Sequence, residues 1–265
     1  MATPFGRPIW YELMTSDTAA AKAFYSHVIG WTTTAFGGSP EIGDYTIWSA
    51  DAGQSGVGGM MKAPDGMDAP PAWYCYLHVA DVDAACAAIA AAGGVVHRPG
   101  MDLPGVGRIA FVADPQGALF YVMTPDPAMG DAENTCFSPT LQQRVSWNEL
   151  ATGDQPGALD FYTNQFGWQV GGSMPMGDMG DYTFLNQGDV PLGAAMTRGA
   201  DGPPPAWRFY WRVDEIGAAN DRLVERGGMV GHGPVEVPGG DWVIMATDPQ
   251  GAAFGLVGPR ENAVE

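Results

Sequence analysis

The sequence predicts an α+β protein made by tandem duplication, each half holding two βαβββ units. Two observations carry the duplication. "WYELMTSD" (10–17) returns as "WNELATGD" (147–154), and residues 10–31 laid on 147–168 agree at ten of 22 positions without a gap, where average composition would give about one or two. Further on, "PPAWYCYLHV" matches "PPAWRFYWRV" and "DPQGALF" matches "DPQGAAF", now at an offset of 134 (207 − 73). A third observation sets the class: short aromatic and β-branched runs alternate with one helical stretch at a time.

Residues 8–16 form an aromatic-rich strand. Asp17 caps the helix "TAAAKAFYSHVIG", which Gly30 closes at its C′ position. Short strands follow near 31–36, 44–50 and 54–62, separated by Gly, Ser and Asp. The order then restarts with the strand "AWYCYLHV", the cap Asp81, the helix "VDAACAAIAAAGG" ending at Gly93, and strands near 95–98, 106–113 and 118–124. "DPQG" at 114–117 and 248–251 is a turn, with Pro fixing φ and Gly accepting a positive one. Loops at the sheet rim are expected at "GGSPEIGDY" (37–45) and "MPMGDMGDY" (174–182). The domains are expected at 1–124 and 144–265, joined by a Pro-, Asp-, Ser- and Thr-rich linker at 125–143.

With 12 Lys and Arg against 30 Asp and Glu, the net charge is −18. Nucleic-acid backbones and anionic membrane surfaces draw their affinity from basic side chains, so neither is an expected partner. Cys75, Cys86 and Cys136 are an odd, widely spaced set without CxxC, as in a reducing compartment. The first residues lack a basic head followed by an apolar run, and no stretch reaches the length of a membrane span, so the expected location is cytoplasmic. "GQSGVGG" (53–59) is no phosphate loop, because no Lys follows and no helix opens after it.

The order of strand, Asp cap, helix carrying "FY", then "GW", and later a "DPxG" hairpin before the last strand resembles the vicinal oxygen chelate superfamily. Glyoxalase I, bleomycin-resistance proteins and extradiol dioxygenases belong to it. The closest resemblance is to its tandem two-domain, glyoxalase-like branch. The resemblance covers about 8–124 and 145–258 and implies that paired units form two curved eight-stranded cups, each enclosing a site. Metal-dependent members hold a divalent ion there by His or Glu. The positions implied for those ligands are Trp10 and Trp147 on the first strands, Tyr74 and Arg208 on the fifth, Tyr121 and Gly255 on the last, and Met60, Met61, Ala194 or Met196 on the fourth. Indole, phenol and thioether are poor donors for such an ion. His27, His78, His97 and His232 are scattered. No metal site and no cofactor are therefore expected, unless the protein is an enzyme with an altered ligand set.

If Trp10 and Trp147 face the cups, strand alternation places Glu12 and Glu149 there too, and turns Leu13 and Leu150 toward the helices. Each Glu could fix its strand through hydrogen bonds, bind a ligand, or serve as a general acid or base, since burial favours the protonated carboxyl. Ring and thioether side chains that could line an aromatic slot are Trp10, Tyr45, Met60, Tyr74, Tyr76, Tyr121, Trp147, Tyr182, Met196, Trp207 and Tyr210. Met61, Met67, Met174, Met176 and Met179 could form an adaptable wall or fill core. The leading expectation is a protein that binds a small aromatic or apolar molecule without metal, as a pseudo-dimeric monomer or a homodimer. The alternative is a lyase, isomerase or oxygenase using Glu12 or Glu149. A scaffold role is the third.

Overall fold

The computed structural model describes residues 3–36, 43–63, 70–129 and 134–261. The first half contains β1 (Pro8–Thr15), α1 (Thr18–Val28), β2 (Thr32–Ala35), β3 (Tyr45–Ala50), β4 (Ser55–Lys62), β5 (Ala72–His78), α2 (Val82–Ala91), β6 (Val95–Leu103), β7 (Gly107–Ala113) and β8 (Leu119–Pro125). The second half repeats it as β9 (Val145–Thr152), α3 (Gln155–Phe166), β10 (Gln169–Pro175), β11 (Asp181–Gln187), β12 (Val190–Thr197), β13 (Ala206–Arg212), α4 (Ile216–Glu225), β14 (Met229–Glu236), β15 (Trp242–Thr247) and β16 (Ala253–Gly258). The fold class is the expected one: two eight-stranded mixed sheets, ordered β2-β3-β4-β1-β5-β8-β7-β6 and β10-β11-β12-β9-β13-β16-β15-β14.

The caps follow the sequence closely. Asp17, Asp81 and Asp154 accept from Ala20 N at 2.9 Å, Ala84 N at 2.9 Å and Gly157 N at 3.1 Å, each satisfying a first-turn donor that the helix leaves open. The fourth helix departs from the repeat: Glu215 caps it, accepting from Gly217 N and Ala218 N. Gly30 closes α1 at a φ of 85°, where a side chain would be strained.

Two expectations are corrected. The strand near 95–98 runs on to Leu103, because Pro99 and Gly100 sit in a register shift between Arg98 and Met101 rather than ending it. Residues 174–182 form a hairpin rather than an open loop. Met176 N donates to Gly180 O at 2.7 Å and Ser173 Oγ to Asp181 Oδ2 at 3.1 Å. Of the other expected loop, residues 37–42 lie outside the described residues, as does Met67. The described part of the linker is tied down at both ends. Asn134 Nδ2 donates to Ile9 O at 2.8 Å, and Ser138 N to Val145 O at 2.9 Å.

The chain forms two compact units, and they do not coincide with the two repeats. One comprises Met1–Trp10, Tyr74–Asn134 and Trp147–Trp207; the other comprises Tyr11–Trp73, Thr135–Ser146 and Arg208–Glu265. Each therefore takes one βαβββ module from each half.

In the first unit, α3 presents Phe161, Tyr162 and Phe166 to Phe120 of β8. Tyr162, fully buried, donates to Asp114 Oδ2 of the "DPQG" turn at 3.1 Å and accepts from Trp207 Nε1 at 3.0 Å. Asp114 Oδ1 accepts from Gln116 N and Ala118 N at 3.0 and 2.8 Å. In the second unit the same three motifs meet: Tyr25 of α1 donates to Asp248 Oδ2 at 3.0 Å and accepts from Trp73 Nε1 at 2.9 Å. Trp31, Trp48, Trp211, Phe24 and Phe254 pack around that phenol or its neighbours. Burial raises the Asp114 carboxyl above its ordinary value of 3.8, against the opposing pull of the Ala118 amide, the Tyr162 hydroxyl and the turn's other amides. Asp248 is raised by burial in the same way.

Removing one hydroxyl from this arrangement orphans a buried indole N–H and one carboxylate oxygen. Tyr162→Phe is expected to lower stability by about 1–3 kcal/mol, measured by urea denaturation. A loss under ~0.5 kcal/mol would show the bond to be dispensable. A raised folded pKa means that Asp114 contributes most when protonated, below its unfolded value, and loses that contribution as pH rises through the folded value. The stability of Asp114→Asn relative to the parent should accordingly improve between pH 4 and pH 7. A constant difference across that range would contradict the burial effect.

Candidate functional site

Strand alternation gives each sheet a helix-covered face and an opposite face. On β9, Leu150 is fully buried on the helix side, and Trp147 and Glu149 share the other. Trp147 Nε1 donates to Tyr182 Oη at 2.8 Å, and Tyr182 Oη donates to Glu149 Oε2 at 2.9 Å. The indole stands over β11, where Phe184 meets it edge-on at 6.2 Å. Met196 pairs in register with Ala151, so it shares the face of Trp147 and Glu149. Sequence alternation and the repeat had pointed to these residues, and the structure brings Trp147, Tyr182 and Glu149 into one hydrogen-bonded chain.

In the equivalent module of the first half, Glu12 is buried and pairs in register with Gly59. A β-carbon on Gly59 would overlap the Tyr45 hydroxyl, which places that phenol on the Glu12 face of the sheet. Met61 pairs with both Tyr45 and Met14, and so lies on this face as well. Met60 does not. It pairs with Leu13, is 2% exposed and belongs to the helix-side core, which corrects its expected place in the slot. Trp10, half-buried, stands two residues before Glu12 on β1.

On β5, alternation puts Tyr74 and Tyr76 on the face opposite Trp73, Cys75 and Leu77, and all five side chains are buried. Tyr76 pairs with Tyr121, and their rings stack at 4.2 Å with 8° between planes. Phe111, opposite Tyr121 on β7, lies 4.6 Å from it and 5.3 Å from Tyr74. These four rings make a continuous apolar pavement across three strands. Phe111 was not among the expected residues. It could have been found by counting outward from Gln116 of the "DPQG" turn, because Phe111 and Tyr121 each lie five residues from it.

The matching positions on β13, β15 and β16 read Arg208, Tyr210, Met245 and Gly255. Arg208 Nη1 approaches Met245 Sδ at 3.3 Å. Tyr210 pairs with Gly255, and a β-carbon there would overlap the Tyr210 ring. Trp207, expected in the slot, is on the opposite face: its indole donates to Tyr162 in the core.

The donor chemistry does not suit the divalent ion that the family resemblance implies. The implied ligand positions hold indole, phenol, thioether, guanidinium and glycine, and no group of three His, Cys, Asp or Glu that could hold a metal occurs among the described residues. His27 meets Glu225 at 3.2 Å, and His78 Nδ1 lies 2.9 Å from Thr3 O. Among the described residues, no helix is long and apolar enough to cross a membrane.

Known proteins agree with this architecture. The chain is 32% identical over 259 residues to "Putative glyoxylase CFP32" of Mycobacterium bovis, covering 96% of this chain and 95% of that protein. It is 32% identical over 269 residues to "Anthracycline biosynthesis protein DnrV" of Streptomyces peucetius, covering 97% and 94%. In structure it resembles the Mn(II)-bound glyoxalase from Novosphingobium aromaticivorans with a TM-score of 0.64 at 20% identity, over 98% of this chain and 84% of that one. Residues 7–122 and 144–256 each match the family described as Glyoxalase/Bleomycin resistance protein/Dioxygenase superfamily. With both halves matched and the relatives aligned end to end, the chain belongs to that superfamily as a tandem duplicate.

Proposed function

We propose that this protein binds a small, flat aromatic molecule on the ring-lined sheet face, without a resident metal. The observation that carries the reading is the pavement of Tyr74, Tyr76, Phe111 and Tyr121, whose rings meet at 4.2–5.3 Å. Aromatic planes held rigidly by strand backbones present a polarisable surface at little cost in side-chain entropy, which favours a planar ring over a flexible chain. The donor set at the family's ligand positions supports the metal-free part. The name of the Streptomyces relative, which places that protein in anthracycline biosynthesis, is compatible with a small-molecule role.

A second reading draws on the hydrogen-bonded chain from Trp147 through Tyr182 to Glu149. A buried carboxylate oriented by a phenol could exchange a proton with a bound molecule, as in an enzyme of the superfamily. The mycobacterial relative's name and the glyoxalase structure bear on this alternative.

Tyr121→Leu keeps an apolar side chain but removes the stacked ring. It is expected to weaken binding of the neutral probe 2-naphthamide by about tenfold, an amount in line with loss of one aromatic contact, read by fluorescence titration of the full chain. Unchanged affinity would remove the pavement from the binding surface. Dialysis against a chelator is expected to leave that affinity as it was. Stoichiometric divalent metal by elemental analysis, with binding lost on chelation, would favour the enzyme reading instead.

A further inference from the structure

We propose that the cleft between α3, the C-terminal end of α2 and the turn at 114–117 is a binding site for a small organic cation, an alkylguanidinium. A cavity of about 290 Å³ opens there, within one compact unit, and its lining includes Ala92, Pro115, Gln116, Asp160, Phe161 and Asn164. That volume is at the small end of ligand cavities and suits a short chain better than a fused ring. The cleft involves neither sheet face, so it stands or falls independently of aromatic binding there.

The other unit shows what such a space accepts. Under the repeat, Ala92 corresponds to Arg226 (226 − 92 = 134) and Asn164 to His27 (164 − 27 = 137). Arg226, the C-cap of α4, reaches α1, where its Nη2 lies 3.4 Å from His27 Nδ1. Glu225 meets the other nitrogen of that ring at 3.2 Å. A guanidinium of the chain itself therefore spans the gap between the two helices. In the first unit Ala91 and Ala92 stand where Glu225 and Arg226 do, and the corresponding gap between α2 and α3 is left open.

Charge selects the ligand. Glu225 and Arg226 bring one charge of each sign to their gap. In the open one the charged lining residue is Asp160, whose counterpart is Ala23, and no Lys or Arg occurs in α2, in α3 or in the turn. Asp160 is exposed and forms no ion pair among the described residues. The C-terminal end of α2 adds partial negative charge from its last carbonyls. Asp160 and Asn164 are four residues apart on α3, so a carboxylate and an amide oxygen border the same space. A planar guanidinium offers donors to both, and its alkyl chain can lie on Pro115 and Phe161. The net charge of −18 attracts cations to the whole surface, so the test has to separate local from general attraction.

Butylguanidinium and its neutral near-isostere butylurea are titrated by calorimetry into the full chain at pH 7 and physiological ionic strength, where salt screens the acidic surface as a whole. Butylguanidinium is expected to bind, and butylurea to bind about tenfold more weakly or not at all. Asp160→Asn should weaken butylguanidinium about tenfold, the loss of a charge-assisted hydrogen bond. Ala92→Arg, which installs the guanidinium that the other unit carries, should weaken it at least as much. Asp189→Asn makes the same charge change on the exposed β11–β12 turn, outside the lining, and should keep the parent affinity. All three substituted positions are exposed, and far-ultraviolet circular dichroism with a thermal melt confirms that each variant is folded. Should Ala92→Arg misfold, Asp160→Asn against Asp189→Asn carries the test. No binding by the parent protein, equal binding of butylurea, or equal loss in Asp160→Asn and Asp189→Asn would overturn the proposal. Binding that survives Asp160→Asn and Ala92→Arg unchanged would do the same.

Discussion

Each compact unit depends on a buried carboxylate shared between a turn and a helix from opposite halves of the chain. Taking Asp114 or Asp248 out of water is costly unless every lone pair is used. The "DPQG" turn supplies backbone amides to one oxygen, and the helix tyrosine supplies a hydroxyl to the other. The tryptophan that opens the next module's strand then donates to the same phenol. Three short motifs, "FY", "PAW" and "DPQG", are thus the parts of one polar knot inside an aromatic core. A tyrosine held from both sides fixes where its helix lies on the sheet.

That arrangement decides which side chains are left for chemistry. Trp73, Trp207, Trp211 and Phe209 belong to the helix-covered core because the knot and the rings around it draw them there. Strand alternation then sends Tyr74, Tyr76, Arg208 and Tyr210 to the opposite face with no freedom to choose. The core motifs are nearly invariant between the halves; on the opposite faces Trp10, Glu12 and Tyr45 return as Trp147, Glu149 and Tyr182, while Tyr74, Phe111 and Tyr121 give way to Arg208, Met245 and Gly255. The structure therefore separates a conserved scaffold problem from a variable recognition problem within a single chain.

Much of this was legible in the sequence because it is local. The caps Asp17 and Asp81, the stop at Gly30 and the turn at 114–117 depend on a few neighbouring residues, and they form as expected. Glu149 shares a face with Trp147 because they are two residues apart on a strand. The crossing of modules was hidden, since duplicated motifs read alike and nothing in "FY" says which "DPQG" it will meet. Met60 and Met61 are adjacent, and only the register with β1 shows that Met60 is core. Trp207 could have been turned either way until Tyr162 supplied its acceptor. Pro99 and Gly100 looked like the end of a strand because a bulge that absorbs them leaves no local sign.

The crossed pairing bears on how such a chain could have arisen. Cut at the linker, either half would keep a tyrosine without its aspartate and an aspartate without its tyrosine, both inside what should be a dry interior. A half-length ancestor would have been forced to associate with an identical copy to fold at all. Gene fusion would then have turned an obligate homodimer into one polypeptide, freeing its two formerly identical faces to diverge.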